Sequence, residues 1–254
     1  MKNKVIEGDC IEKMKEMDEN SVDLVLTDPP YNQTRNEWDV SFSLEDWFSQ
    51  LWRVLKPSGL VVMTAQDPFG AKAIINQEDY FKYDLVWDKV LASGHLNSNK
   101  MPMRQHERIL VFGKEKGTYN KIMQGNEVRK KKDQGGGNRT SNYGNDTQGF
   151  ERDREYNGRC PTSIVSRSNA DRSENYHPTE KPVELFRYLI KLYSNENDVV
   201  LDPFAGSGTT AVSAKQANRN WVCIEKEEEY VETIRERINS QPQNLKAFTT
   251  QKRL

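Results

Sequence analysis

Seven short apolar, largely β-branched runs punctuate this chain: Val5-Ile6, Val22 to Leu26, Leu60 to Met63, Leu85 to Trp87, Ile109 to Phe112, Val199 to Leu201 and Trp221 to Ile224. Runs of this kind read as strands buried on both sides, and helical patterns lie between them. A strand that is apolar on both faces needs cover on both, so the alternation implies an α/β protein with a mainly parallel seven-stranded sheet between helical layers. The clearest helical pattern is Leu44, Trp47, Phe48, Leu51, Trp52 and Leu55, with Ser43 as its cap, Asp46 three residues on, and Pro57 and Gly59 as its stop. Its aromatic stripe reads as core. A second helix opens near Pro182 and carries Leu185, Leu189 and Leu192 on one face. A third runs from Glu227, Glu228 and Glu229 to Arg235 and Arg237, charges that suit the two ends of a helix dipole.

None of the apolar runs approaches the roughly 18 residues a membrane span requires. The first ten residues bring charges with no apolar stretch behind them, which predicts a cytoplasmic protein without a secretory signal. Cys10, Cys160 and Cys223 are too scattered for a metal knuckle or a disulfide framework. The net charge of -1 conceals an asymmetry: residues 100–172 hold 16 Lys and Arg against 9 Asp and Glu, and the rest of the chain holds 21 against 29. A basic segment on an acidic body suits a phosphate-binding surface, although charge alone fits a solvated loop equally well.

That segment is also where periodicity fails. From about Gly113 to Tyr176 the chain is polar and rich in Gly, Asn and Ser, which predicts a long mobile loop. The organisation expected is a first half at 1–114, an insertion at 115–176, and a second half at 177–254 that completes the same domain.

Two motifs carry chemistry. Asp202-Pro203-Phe204-Ala205-Gly206-Ser207-Gly208-Thr209-Thr210 follows the strand ending at Leu201 and opens a helix. Its glycines allow a sharp turn and close approach of a ligand, Gly208 being the position where an added side chain is expected to meet that ligand. Glu225 closes the next strand, where a carboxylate can accept both hydroxyl protons of a ribose, so the pair reads as a nucleoside-binding βαβ unit. The alternative is a ligand-free turn; a Walker loop is excluded because Thr209 stands where Lys is required. The second motif, Asp28-Pro29-Pro30-Tyr31, ends the strand Val22 to Leu26. Two prolines remove two N–H donors and leave carbonyls, a carboxylate and an aromatic face at the edge where open α/β sheets bind ligands. Such a pocket suits a planar base whose exocyclic amine needs two acceptors; alone, the motif also fits a Pro-rich turn.

Together these motifs resemble the S-adenosylmethionine-dependent amino-methyltransferases of DNA, which modify N6 of adenine or N4 of cytosine. The order of the motifs resembles their permuted β group. Gly8-Asp9-Cys10, Leu55-Lys56-Pro57-Ser58-Gly59, His106-Glu107-Arg108-Ile109-Leu110 and His177-Pro178-Thr179-Glu180-Lys181-Pro182 add to the likeness, which covers residues 4–114 and 160–239. The resemblance implies a circularly permuted, Rossmann-like methyltransferase fold with S-adenosyl-L-methionine as cofactor and DNA as substrate, and a possible homodimer. Its cofactor loop is Asp202, Phe204, Ala205, Gly206, Ser207, Gly208 and Thr209, with Glu225 for the ribose, Asp9 and Cys10 for the adenine, and Lys181 and Pro182 alongside. Asp28 and the Pro29 carbonyl would accept the target N–H groups, with Pro30 holding the turn and Tyr31 stacking on the base. Lys130, Lys131, Lys132 and Arg139 are the expected DNA contacts. Lys181 read alone is equally a helix-start residue, and Glu107 a salt-bridge partner.

Two acceptors on an exocyclic amine push nitrogen toward tetrahedral geometry and free its lone pair, so positioning and preorganised electrostatics would carry the rate. A base inside a duplex must first be flipped out. No Cys follows a Pro, which argues against carbon-5 methylation of cytosine. Adenine N6 is favoured over cytosine N4 because the cytosine enzymes more often carry Ser where Asp28 stands. A nicotinamide-dependent oxidoreductase also fits Gly206-x-Gly208-x-x-Ala211 with Glu225, yet leaves Asp28 to Tyr31 unexplained. A catalytically silent DNA-binding protein and a glutamine-modifying protein methyltransferase fit less well, the latter because it carries Asn at the position of Asp28 and places its cofactor loop first.

Overall fold

The computed structural model describes residues 2–31, 42–130, 155–169 and 180–240, without the side chains of 126–130 and 155–157. Two compact units emerge, residues 1–120 with 163–254, and residues 121–162.

The larger unit is built on eight strands: β1 (Lys4–Glu7), β2 (Val22–Thr27), β3 (Leu55–Ala65), β4 (Phe81–Ser93), β5 (Arg104–Phe112), β8 (Ile164–Ser166), β9 (Val199–Asp202) and β10 (Asn220–Glu225). Their order is β1-β10-β9-β2-β3-β5-β4-β8, and only β5 runs against the others. All seven apolar runs are therefore strands of one mainly parallel sheet, which gains an eighth at its edge. Among the described residues six α-helices accompany it: α1 (Cys10–Lys15), α2 (Leu44–Val54), α3 (Phe69–Asn76), α4 (Val183–Tyr193), α5 (Thr209–Gln216) and α6 (Glu228–Ser240). Because successive strand residues point to opposite faces, Val25, Val61 and Met63 join the core formed with Trp47, Phe48 and Leu51 of α2. Leu24, Leu26 and Val62, between them in sequence, are equally buried and turn to the other side. Ser43 caps α2 by accepting the Asp46 N–H at 3.2 Å. The helix stops at Val54, earlier than Pro57 and Gly59 suggest, because Leu55 is already extended and begins β3.

The stretch 113–176 is corrected in its described parts. Ile164–Ser166 pairs with β4, and in the smaller unit β6 (Gln124–Lys130) pairs antiparallel with β7 (Glu155–Arg159). These strands read QGNEVRK and EYNGR, too polar to carry an apolar period. Lys131, Lys132 and Arg139 lie outside the described residues, as do 131–154 and 170–176 of the expected loop as a whole; Lys130 is described in its backbone alone. Among the described residues no helix is long and apolar enough to cross a membrane, and no group of His, Cys, Asp and Glu could hold a metal ion.

Candidate active site

Four parallel strands deliver the chemistry-bearing residues to one edge of the sheet. β1 and β10 end side by side, with Glu7 in register with Glu225, so Asp9 and Glu225 both leave the carboxyl edge. β9 pairs with β10 on one side and β2 on the other, which brings the 202–209 loop and Asp28 out between neighbouring strands. This is the edge where open α/β sheets bind ligands.

The glycine-rich loop is braced from below. Asp202 is buried and accepts hydrogen bonds from the Phe204 N–H at 3.1 Å and the Thr210 hydroxyl; burial raises its carboxyl to about 6. Arg237 of α6, also buried, donates to the Ser207 carbonyl at 3.0 Å and to the Ser207 hydroxyl at 3.1 Å, and forms an ion pair with buried Glu180. Thr209 donates to the Lys181 carbonyl at 3.3 Å. From Asp202 to Thr209 only Phe204 and Gly206 escape burial. Phe204 rests on Trp47, with ring centroids 5.7 Å apart.

The two glycines differ. Gly206 has φ of +49° and a Cβ added to it would meet nothing within 4 Å. Gly208 has φ of +79° and its added Cβ would lie 2.9 Å from two side-chain carbons of Ile234 in α6. Gly208 is therefore small to admit a helix, and it is Gly206 that faces open space. Glu225 holds the turn: its carboxylate accepts the Gly206 N–H at 2.7 Å on one oxygen and the Lys226 and Glu227 N–H groups at 2.8 and 3.0 Å on the other. Burial nevertheless raises its pKa. Asp9 caps α1, accepting the Ile11 N–H at 2.9 Å. Cys10 is buried, which pushes its thiol up to about 12 and leaves it a packing group rather than a nucleophile. Pro182 immediately precedes α4. The space over Gly206, the turn pinned to Glu225 and the aromatic Phe204 fit a nucleoside-type cofactor.

Around Asp28 the structure adds residues the sequence did not single out. Asp28 is half-buried and its Oδ1 accepts from the Tyr31 hydroxyl at 2.5 Å and from the Thr64 hydroxyl. The Tyr31 ring packs on Phe69, centroids 5.4 Å apart. Burial first, and the Asp28 carboxylate second, hold the Tyr31 phenol well above its ordinary pKa, so it remains a neutral donor. Pro29 is buried and Pro30 half-buried. Lys181 donates to Asp28 Oδ2 at 2.7 Å, and its Nζ is 3.6 Å from Glu107 Oε2. Burial pulls the Lys181 ammonium down, but Asp28 and Glu107 outweigh it and raise its pKa. Lys181 is thus more than a helix-start residue. His177, Pro178 and Thr179, ahead of it, are outside the described residues.

Comparison with known proteins identifies a family and a fold. The family model described as DNA methylase, of the N6/N4 type, matches residues 22–236. The type II methyltransferase M.HinfI of Haemophilus influenzae is 30% identical over 265 residues, 93% of this chain and 68% of that protein. M.BglII of Bacillus subtilis is 30% identical over 277 residues, 99% of this chain and 73% of that one. Among solved structures, the M1.HpyAVI–SAM complex superimposes with a TM-score of 0.66 at 24% identity, covering 93% of this chain and 98% of that one. The cytosine-N4-specific PvuII DNA methyltransferase gives 0.64 at 20% identity, covering 95% and 87%. At these identities the structural likeness speaks for the fold.

Proposed function

The chain belongs to the N6/N4 DNA methylase family and is a site-specific DNA amino-methyltransferase, and from that premise we propose that its target is N6 of adenine in double-stranded DNA, with the residues of the Asp28 and Gly206 sites in the roles below. The observation that carries the assignment is the Asp28 carboxylate, half-buried at the end of β2 and oriented by Tyr31, Thr64 and Lys181.

S-adenosylmethionine, when bound, supplies an electrophilic methyl group. Phe204 and Gly206 would border its methionine part and Glu225 would meet its ribose, with Ser207, Gly208 and Thr209 shaping the turn and Ala205 and Asp202 supporting it. Asp9 and Cys10, just after β1, would meet its adenine, and Lys181 and Pro182 would lie beside it. An exocyclic amine is a weak nucleophile because its lone pair is delocalised into the ring. Asp28 and the Pro29 carbonyl accept its two hydrogens, draw the nitrogen out of the ring plane and free the lone pair. Pro29 and Pro30 fix the backbone so that these acceptors need not reorganise during the reaction. Tyr31 offers a ring to the flipped base while its hydroxyl aligns the carboxylate. Lys130, Lys131, Lys132 and Arg139 engage phosphates, and two chains form a homodimer.

Mass spectrometry of nucleosides from plasmid DNA of a host expressing the chain tests the target. N6-methyladenine is expected; N4-methylcytosine in its place overturns the adenine assignment while leaving the enzyme class intact. Asp28→Ala is expected to keep cofactor and DNA binding yet lose methyl transfer, because it removes an interaction that strengthens in the transition state. Turnover within a few-fold of the unaltered enzyme would refute the role of Asp28.

A further inference from the structure

Behind Asp28 lies a buried string of alternating charges. Lys89 of β4 donates from Nζ to Glu107 Oε1 at 3.2 Å and to the Ser93 hydroxyl at 3.2 Å. Glu107 of β5 presents its other oxygen to Lys181 at 3.6 Å, and Lys181 reaches Asp28 at 2.7 Å. Side-chain exposure falls from 23% at Asp28 to 10% at Lys181, 7% at Glu107 and 5% at Lys89. The placement follows from the sheet: Leu85, Trp87 and Lys89 alternate inward along β4, and Trp87 is in register with Glu107.

A buried ion pair of this kind adds little net stability, because desolvation offsets its attraction. The asymmetry of the string is more informative. Lys181 is within hydrogen-bond distance of Asp28 and outside it from Glu107, and Glu107 Oε2 is buried with no hydrogen-bond partner. That oxygen already faces the Lys181 ammonium as a longer ion pair at 3.6 Å, so a short movement of the ammonium would give it the hydrogen bond it lacks and take that bond from Asp28. On the proposed mechanism an incoming amine competes with Lys181 for the Asp28 carboxylate, and a cation left there would weaken the acceptor.

We propose that Glu107, anchored by Lys89, is a positioning residue that takes the Lys181 ammonium from Asp28 when the amino group of the target base enters. No proton is transferred in this exchange: the ammonium trades one carboxylate for the other and the string stays electrically neutral. Before the base arrives, Lys181 gives the half-buried Asp28 its counter-charge. Afterwards Glu107 holds the same ammonium and Asp28 Oδ2 is free to accept, while Oδ1 keeps the Tyr31 and Thr64 hydroxyls. The inference rests on the proposed role of Asp28.

The test is steady-state and single-turnover methylation by Glu107→Gln, with cofactor affinity and thermal melting measured on the same preparation. Glutamine keeps the shape and removes the charge, so Lys181 stays on Asp28. The expected result is a loss in kcat of about 10- to 100-fold, the size of one charge-assisted hydrogen bond, with cofactor affinity and the KM for DNA within about twofold. Adding Glu107→Gln to Lys181→Met should cost nothing further, since no ammonium remains to be moved; independent losses would multiply. A merely structural role predicts a lowered melting temperature and multiplying losses. A kcat near that of the unaltered enzyme, or multiplying losses, overturns the proposal. If Glu107→Gln does not melt cooperatively, Lys89→Met puts the same question through the anchor: lost kcat with intact binding supports the proposal, and unchanged kcat overturns it. Retained activity in Asp28→Ala would instead refute the underlying catalytic reading, a separate and recognisable outcome.

Discussion

Replacing Gly206 and Gly208 in turn by Ala separates a ligand-facing glycine from a packing glycine within one loop. Both hold left-handed φ, +49° and +79°, which costs an L-residue about 1–2 kcal/mol. At Gly206 that is the whole penalty to the fold, because its Cβ would meet no atom within 4 Å. At Gly208 the Cβ would lie 2.9 Å from two Ile234 carbons, and overpacking adds about 1–3 kcal/mol. A chain of this size loses about 2–4 °C of melting temperature per kcal/mol. Gly206→Ala should then melt about 2–8 °C lower and Gly208→Ala about 4–20 °C lower. Binding should invert that order. A methyl group in the space over Gly206 meets a closely approaching ligand, and overpacking of about 1–3 kcal/mol there weakens S-adenosylmethionine about 5- to 150-fold. Gly208→Ala, assayed well below its melting point, should bind within about twofold of the unaltered chain, as sites that share no contact behave independently. Differential scanning calorimetry and titration calorimetry provide the two readouts. A Gly208→Ala protein with unchanged melting and lost affinity would refute the assignment of the open face to Gly206.

Asp202, raised to about 6 by burial, keeps its proton in the folded chain over a range where the unfolded chain, near 3.8, has lost it. Its contribution is therefore complete below 3.8 and is lost as pH rises toward 6, a difference of about 3 kcal/mol; Asp202→Asn should remove that part of the slope in denaturant titrations between those pH values. Arg237→Met strands the buried Glu180 carboxylate and should cost about 3–5 kcal/mol, part of which the double variant Arg237→Met/Glu180→Gln regains in the same unfolding assay. Changing Lys130, Lys131 and Lys132 together to Ala should weaken binding to all duplexes alike and flatten its salt dependence; an unaltered slope moves the phosphate contacts elsewhere.

How far the sequence reaches depends on whether a residue's role is set by its neighbours in the chain or by distant ones. Val22 to Leu26 and Val199 to Leu201 are buried on both faces, so their composition alone marks them as strands. Gly206 and Glu225 are legible because a βαβ unit fixes the end of one strand relative to the next. Ile164–Ser166 was illegible: three residues at the edge of a sheet need only one buried side chain, Val165, and that leaves no period to detect. The partition between Gly206 and Gly208 was illegible too, since it turns on Ile234, a residue of another helix.

The charges behind Asp28 fall between these cases. Lys89 interrupts an apolar stretch and looks like the point where a strand reaches water. The alternation of Leu85 and Trp87, continued by two, assigns it to the inward face, and the same count places Glu107 inward with Ile109. A lysine and a glutamate at inward positions of adjacent antiparallel strands imply each other, because either one alone would be an uncompensated buried charge. The signal was therefore present as a period of two that includes polar residues. What no count along the chain supplies is the third member: Lys181 stands 74 residues beyond Glu107, and only the packing of the segment ahead of α4 brings it between Glu107 and Asp28.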